Sequence, residues 1–487
     1  MKKILFGIIF TCIFFLPNYY FAQNVFTIQF QDTSDCNIAG LAEVQNGYYL
    51  FTTERPQNTG WYHRVRRLSV EGQVVLSMDI SFEGKNATLM PAFLNDTGIW
   101  LVGITKPLGA FNCNVTVVYL DTALSQKWTT EFSNKHFNPW NTLATSGNNC
   151  FYYITDAFDN TLIDKNIFVY RFDLMGNLIA ETVLGSSIYN EYLFSSTLNP
   201  SKDTIVITAG GFEYSIYPLK IVKIDNCLLS YNVSILPAYA FYYNNMEFIS
   251  NYNILFSGRF QYVGSSPRDD DMAVMYLDEK FNIVKEKHYG ATDTVDHPAY
   301  SKNISFIDPT RIFCGYNKNQ DPYNIFSKNL SWFSLVLLND SLEVQWEKFY
   351  GGDAYYGLWH VLATTDGGCL LAGTRYDWTT QNNERDAILI KVDENGLLTS
   401  TGHLPNLKAH DAIVYPNPGR EMLTIESGPQ IAGAVFVLFD MAGKTLLEHK
   451  LIHSTETIST THLPSGLYLW NITLKGKTIE NGKWIKE

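Results

Sequence analysis

The chain has 487 residues, of which 15% are aromatic and 17% charged, and its formal net charge is -12. This composition excludes a disordered chain, which is charge-rich and aromatic-poor, and argues against a general nucleic-acid binder, which needs a basic footprint. It fits a packed, β-rich globular protein.

The first element is a signal peptide over 1–22. Lys2 and Lys3 make a positive start, Ile4 to Leu16 is an apolar run too short to span a bilayer, and Ala22 suits the last position before cleavage. Cys12 lies inside the apolar run, which argues against a lipid-anchored cysteine. Losing Lys2 and Lys3 takes two positive charges from the net -12, leaving -14. No later segment is apolar enough to be a transmembrane span. Cys36, Cys113, Cys150, Cys227, Cys314 and Cys369 are scattered. They form no dense disulfide scaffold, and their spacing argues against a metal site; one or two bridges stay open.

From residue 23 to 405 the sequence repeats. Its clearest unit is Thr364 to Thr374, a loop, then Asp386 to Gly396: strand, Asp-Gly turn, strand, loop, strand, Asn-Gly turn. Aligned on Asp393, the equivalent positions are Ser69, Asp121, Asp173, Asp225, Asp278 and Asn339, at intervals of about 52 to 61 residues. Gly185, Gly290 and Gly351 recur after their anchors, Asn114, Asn166, Asp271 and Asp386 before theirs, and Trp128 and Trp346 in phase on fourth strands. The bland reading of all of these is packing and turn capping. About four strands per unit is one propeller blade, so seven units predict a seven-bladed β-propeller. A β-solenoid is the alternative, with shorter repeats. The last unit lacks a fourth strand, and Val25 to Phe30, which alternates like one, is expected to supply it and close the ring.

The period stops after Asn406. Met422 to Ile425, Ala434 to Phe439 and Leu467 to Ile472 read as strands, with a hairpin turn at Asp440 to Lys444. The segment 406–487 is therefore expected to be a small immunoglobulin-like antiparallel β-sandwich. From Lys408 onward its charges balance, so the propeller carries the negative excess. The segment resembles the type A C-terminal sorting domain of type IX secretion cargo in Bacteroidota. The matching residues are Tyr415-Pro416-Asn417-Pro418-Gly419, Asp440 with Gly443 and Lys444, Pro464, Gly466 and Tyr468, and the terminal Lys483 and Lys486, with Glu487 one residue beyond the family's basic end. The resemblance implies export across the outer membrane, recognition by the type IX translocon and removal by a sortase-like peptidase. It also implies a place on the outer cell surface or outside.

Catalytic patterns are not evident. There is no Gly-x-Ser-x-Gly elbow and no His-Glu-x-x-His helix. His449 and His453 lie in a strand region, where a spacing of four brings nothing together. Asp269, Asp270, Asp271, Asp293 and Asp296 lack the calcium-loop pattern and read as solvated carboxylates, so neither a metal nor a cofactor is expected. Loops between second and third strands share one end of a propeller with the inter-blade links, and here they are the long ones. Trp61, Tyr62, Trp140, Tyr300, Tyr323, Tyr356 and Trp378 fall there as a candidate aromatic face, with Tyr192, Tyr242, Tyr243 and Tyr355 beside them. Two function classes follow: a binding module for glycan or protein ligands, and a polymer-degrading hydrolase or lyase with carboxylates converging in the channel. A structural role in a surface layer is a weaker third.

Overall fold

A computed structural model describes residues 25–487 apart from 32–33, 58, 138–140, 159–164, 186–190, 212–218, 236–241, 250–252, 262–269, 292–294, 322–323, 381–382 and 399–408. The expected signal peptide lies outside the described residues. Among them every regular element is a β-strand except one 3-10 turn at Pro429–Ile431.

The strands from Asp35 onward form successive antiparallel meanders of four, lettered a to d in chain order. Blade 1 runs Asp35–Val44, Gly47–Arg55, Tyr62–Leu68 and Val74–Ile80; the next six begin at Lys85, Thr142, Glu191, Tyr242, His297 and Tyr355. Blades 2 and 3 share one rung, Phe137 opposite Phe158, and so join into one sheet. In blade 6, strand a is split into His297–Pro298 and Ile304–Ser305, both paired with Ile312–Lys318. Blade 7 has only three strands of its own, ending with Asp386–Val392. Phe26–Phe30 adds as its fourth, antiparallel, from Phe26 opposite Lys391 to Phe30 opposite Ala387.

Apolar clusters bridge each blade to the next, from Tyr49, Phe51 and Leu101 between blades 1 and 2 to Phe333, Tyr356 and Ile388 between blades 6 and 7. A seventh joins Leu370 and Leu389 of blade 7 to Ile38 and Leu50 of blade 1, so the contacts close into a ring. Stacking sheets face to face buries both sides of the middle strands. This is why Gly47–Arg55 and Cys369–Tyr376 are buried almost throughout rather than at alternate positions.

The repeated anchors have one local cause. Ser69, Asp121, Asp173, Asp225, Asp278, Asn339 and Asp393 each accept hydrogen bonds from the backbone N–H two and four residues on, at 2.7–3.3 Å, which closes the c–d hairpin. The residue three after each anchor takes positive φ: Gly72, Leu124, Gly176, Leu228, Phe281, Leu342 and Gly396. Where it is glycine, an aromatic ring from strand d of the preceding blade fills the space. A Cβ at Gly176 would stand 2.5 Å from Trp128, at Gly396 2.9 Å from Trp346, and at Gly72 2.8 Å from Phe26. Where it is Leu124, Leu228, Phe281 or Leu342, that side chain is itself buried and fills the seam. A left-handed non-glycine residue costs on the order of 1 kcal/mol, which burying a Leu or Phe offsets.

The other in-phase residues meet in pairs. A Cβ at Gly185 would lie 1.8 Å from Asn166 Oδ1, and one at Gly290 2.0 Å from Asp271 Oδ1. The small residue after the anchor makes room for the polar one before it.

The tail forms two antiparallel sheets. One holds Ala412–Tyr415, Met422–Ser427 and Thr455–Ser459; the other orders Thr445–Lys450, Val435–Phe439, Gly466–Leu474 and Lys477–Lys486. Leu423, Ile425, Phe436, Ile472 and Trp484 share the core between them. Ala409–His410, within the segment assigned to the tail by sequence, pairs instead with strand d of blade 6 at Phe349 and Tyr350.

Candidate functional site

At the long-loop end each blade carries its own ion pair. Glu54 pairs with Arg66 at 3.5 Å and accepts from Ser34 and Thr52. Glu131 takes Lys85 at 2.6 Å, Thr105 and Asn114. Asp156 pairs with Lys165 at 2.9 Å, both buried, and also caps the backbone N–H groups of Asn141 and Leu193. Blade 4 pairs Glu191 with Lys220, blade 5 Asp270 with Arg259 at 4.0 Å, blade 6 Asp296 with Lys318 at 2.7 Å, and blade 7 Asp353 with Arg375 at 2.9 Å. These pairs fix strand ends where loops depart. Each of these carboxylates is engaged by a cation of its own blade rather than paired with a second carboxylate.

The blade 7–1 seam differs. Asp35 holds Arg385 through two bonds, 2.7 and 2.8 Å, and Asn37 adds a third at 2.7 Å. On the neighbouring strand Arg55 faces Asp35, and its guanidinium lies 4.5 Å over the Trp61 ring. Burial, followed by the Arg385 charge, lowers the Arg55 pKa from its usual value, and its buried Nε has no hydrogen-bond partner among the described residues. Trp61 is pinned by its own backbone: its N–H bonds Asn86 Oδ1 at 2.8 Å, and its carbonyl accepts from Ala87 at 3.0 Å. The result is a half-buried indole and a guanidinium held together by the scaffold.

The other predicted aromatics are unequal. Tyr62 is half-buried with Arg64 over its ring at 5.4 Å. Trp378 is half-buried in a turn that Asp377 caps through Thr379. Tyr300 is half-buried between His297 and Trp359, its hydroxyl donating to Gln320 at 3.0 Å. Tyr356 is enclosed: it is fully buried against Phe333, and its hydroxyl donates to Asp353 at 2.6 Å. A ring stacked between blades offers no face to a ligand, so Tyr356 belongs to the core, and Tyr355 beside it is also buried. Trp140 and Tyr323 lie outside the described residues, and for Tyr242 and Tyr243 only the backbone is described. Tyr192 sits under Lys165 Nζ at 4.1 Å. Trp128 and Trp346 are seam-fillers, as their phase predicts. Sequence reasoning passed over Arg55, Lys165 and Lys318; their signal was a lone cation inside or ending an apolar strand.

All six described cysteines are free thiols, five of them buried. His63 is fully buried with no hydrogen-bond partner for either ring nitrogen among the described residues, and burial pushes its pKa down to about 3, so it stays neutral against Phe51. His449 and Glu456 pair at 3.1 Å on the tail.

In the tail the signature residues bond one another. Asn417 donates to the Lys483 carbonyl at 2.9 Å and accepts from the Ile485 N–H at 3.0 Å; the Pro416 carbonyl accepts from Trp484 Nε1 at 2.8 Å; Lys486 reaches the Arg420 carbonyl. The Asp440 carboxylate caps the hairpin turn that Gly443, at φ +80, completes, and Tyr468 donates to the Pro464 carbonyl at 2.6 Å. Pro416, Pro418, Gly419, Arg420, Met422 and Glu487 line a groove of about 480 Å³.

The tail also meets the propeller. Lys318 Nζ, fully buried, contacts Asp296 at 2.7 Å and the tail's Glu426 at 2.5 Å, and the Tyr415 hydroxyl donates to Glu426 at 2.9 Å. Trp332 and Phe349 of blade 6 pack with Ile413 and Tyr415.

Residues 413–487 match the family model described as the secretion system C-terminal sorting domain. The protein is thus a type IX secretion cargo, exported to the cell surface or beyond, and among the described residues no helix is long and apolar enough to cross a membrane. No curated protein matches the chain. Among solved structures it is similar to the WD40 domain of SCAP from fission yeast, at 10% identity and TM-score 0.40, covering 76% of this chain and 98% of that one. It is also similar to the β-propeller domain of the Trilobed protease from Pyrococcus furiosus, at 11% identity and TM-score 0.43, covering 73% and 95%. A third is an oligogalacturonate lyase in complex with manganese, at 12% identity and TM-score 0.41, covering 76% and 97%. These likenesses are too distant to carry a function, and the fold rests on the sheets described above.

Proposed function

We propose that the protein is a surface or secreted binding module whose propeller presents its long-loop end to a glycan or protein ligand. On this reading 1–22 is the signal peptide, 23–405 the propeller and 406–487 the sorting domain, read by the type IX translocon and removed by a sortase-like peptidase. The observation that carries the reading is the Arg55–Trp61 pair: a cation over a half-buried indole anchored by backbone bonds to the next blade. Such a pair offers a flat apolar face for a sugar ring or side chain with a positive charge beside it. On this reading the half-buried Tyr62, Tyr300 and Trp378 extend the face. The ion-paired state of the carboxylates at this end favours binding over hydrolysis.

The test is an array of neutral and acidic oligosaccharides and peptides, probed with the full chain and with Trp61→Ala and Trp378→Ala. The reading predicts a hit that Trp61→Ala weakens at least about tenfold, roughly the loss of one aromatic anchor. Binding that survives both substitutions contradicts the aromatic face, and turnover of an arrayed polymer would replace the module with an enzyme.

A further inference from the structure

The contact between tail and propeller is more than a touch between tethered bodies. One face of blade 6 is used twice. Its half nearer the short turns, with Cys314, Val336 and Leu338, packs on blade 5. Tyr316 belongs to the same cluster, and the other half carries Lys318, Trp332, Ser334, Glu347 and Phe349, where the tail seats. Trp332 and Phe349 form the apolar floor under Ile413 and Tyr415. Beside it Lys318 bridges Asp296, from the link leaving blade 5, to Glu426 of the tail. Glu347 accepts from Tyr316 and, at 2.7 Å, from Ser334, while Gln430 of the tail donates to the Glu347 carbonyl at 2.8 Å. At the rim Lys348 pairs with Asp411, and Ala409–His410 extends the blade 6 sheet as an added strand.

We propose that this seat holds the sorting domain by itself, so that the domain stays on the propeller after the chain is cut within 399–408. Three independent kinds of contact converge on one surface: a strand added to a sheet edge, an apolar floor, and a buried ion cluster completed only by Glu426. The Lys318 ammonium is fully enclosed, and lifting the tail strips it of one of its two acidic partners. Machinery that reads the sorting domain must then lift it off the seat or grip the groove lined by tail residues alone, at Pro418, Arg420 and Glu487.

The seat also responds to pH. Asp296, Glu347 and Glu426 face a single Lys318, with Tyr316 and Tyr415 donating and the Lys348–Asp411 and His410–Glu480 pairs at the rim. Burial opposes the Lys318 charge, but the Asp296 and Glu426 carboxylates outweigh it and hold its pKa up. Burial pushes the Glu426 carboxyl up to about 8 and raises that of Glu347. Glu426 returns to an ordinary carboxyl once undocked, so the seated state binds the extra proton. Seating is therefore strongest below the ordinary Glu value and is lost progressively as pH rises through about 8.

The test uses the full chain with a site-specific protease site placed in 399–408, cut to completion and run through size exclusion at pH 6, 7.5 and 9. The proposal predicts that the cut wild-type protein elutes as one complex at pH 6, with a dissociation constant at least about tenfold higher at pH 9. Glu426→Gln should keep the complex and flatten its pH response. Ile413→Asp, on the tail side and so without effect on blade 6, should separate the fragments at every pH. Complete separation of the wild-type fragments at pH 6, or retention of the full pH response in Glu426→Gln, overturns it.

Discussion

At the short-turn end, Ser69, Asp121, Asp173, Asp225, Asp278, Asn339 and Asp393 make the same bonds seven times. At the long-loop end the blades carry different sets, from Glu54–Arg66 to Asp353–Arg375, and the buried Arg55 Nε has no hydrogen-bond partner among the described residues. Repetition marks what every blade needs in order to close and stack. Divergence marks what the scaffold is free to vary, and recognition residues collect there.

The largest expected effect comes from breaking a buried pair at the variable end. Lys165→Met leaves the Asp156 carboxylate buried without its cation, and thermal or urea unfolding should show a loss of about 3–5 kcal/mol. At the repeated end the seam rule can be tested by exchange. Trp346→Ala opens a half-buried void costing about 2–4 kcal/mol, and Gly396→Leu alone clashes with the indole. The double substitution recreates the arrangement of Leu228, whose cluster holds Ala180 at the position equivalent to Trp346, and should recover at least about half of the Trp346→Ala loss in a double-mutant cycle. Simple addition of the two losses would break the rule. Asn339→Ala removes one turn cap and should cost about 1 kcal/mol in the same unfolding assay. Smallest is Trp61→Ala, expected to change stability by less than about 1 kcal/mol, because its ring is only half-buried and a cation–π contact such as that with Arg55 is worth about that much at an exposed site.

The ring was legible because its signals are local. An Asx turn is written within five residues, so the anchors keep their period even where the strands around them diverge. The closing strand at Phe26–Phe30 was legible by subtraction, since the last unit was one strand short. The partnership of in-phase residues was visible only as coincidence of phase; that Asn166 needs Gly185, or Gly176 needs Trp128, takes three dimensions. Tyr356 was misplaced for a related reason. A residue at the start of a strand a can point into a seam or toward a ligand, and the sequence spacing is the same for both. The seat of the tail was not legible, because Lys318 and Glu426 are far apart in the chain and each reads alone as a surface charge.

The division of labour between the two ends is tested most directly by a crossed measurement on Asn339→Ala and Trp61→Ala, each assayed for unfolding and for binding to the strongest array ligand. The account predicts that Asn339→Ala lowers stability by about 1 kcal/mol and leaves affinity unchanged, while Trp61→Ala lowers affinity at least about tenfold with little loss of stability. A Trp61→Ala protein that unfolds more easily yet binds as before would contradict it.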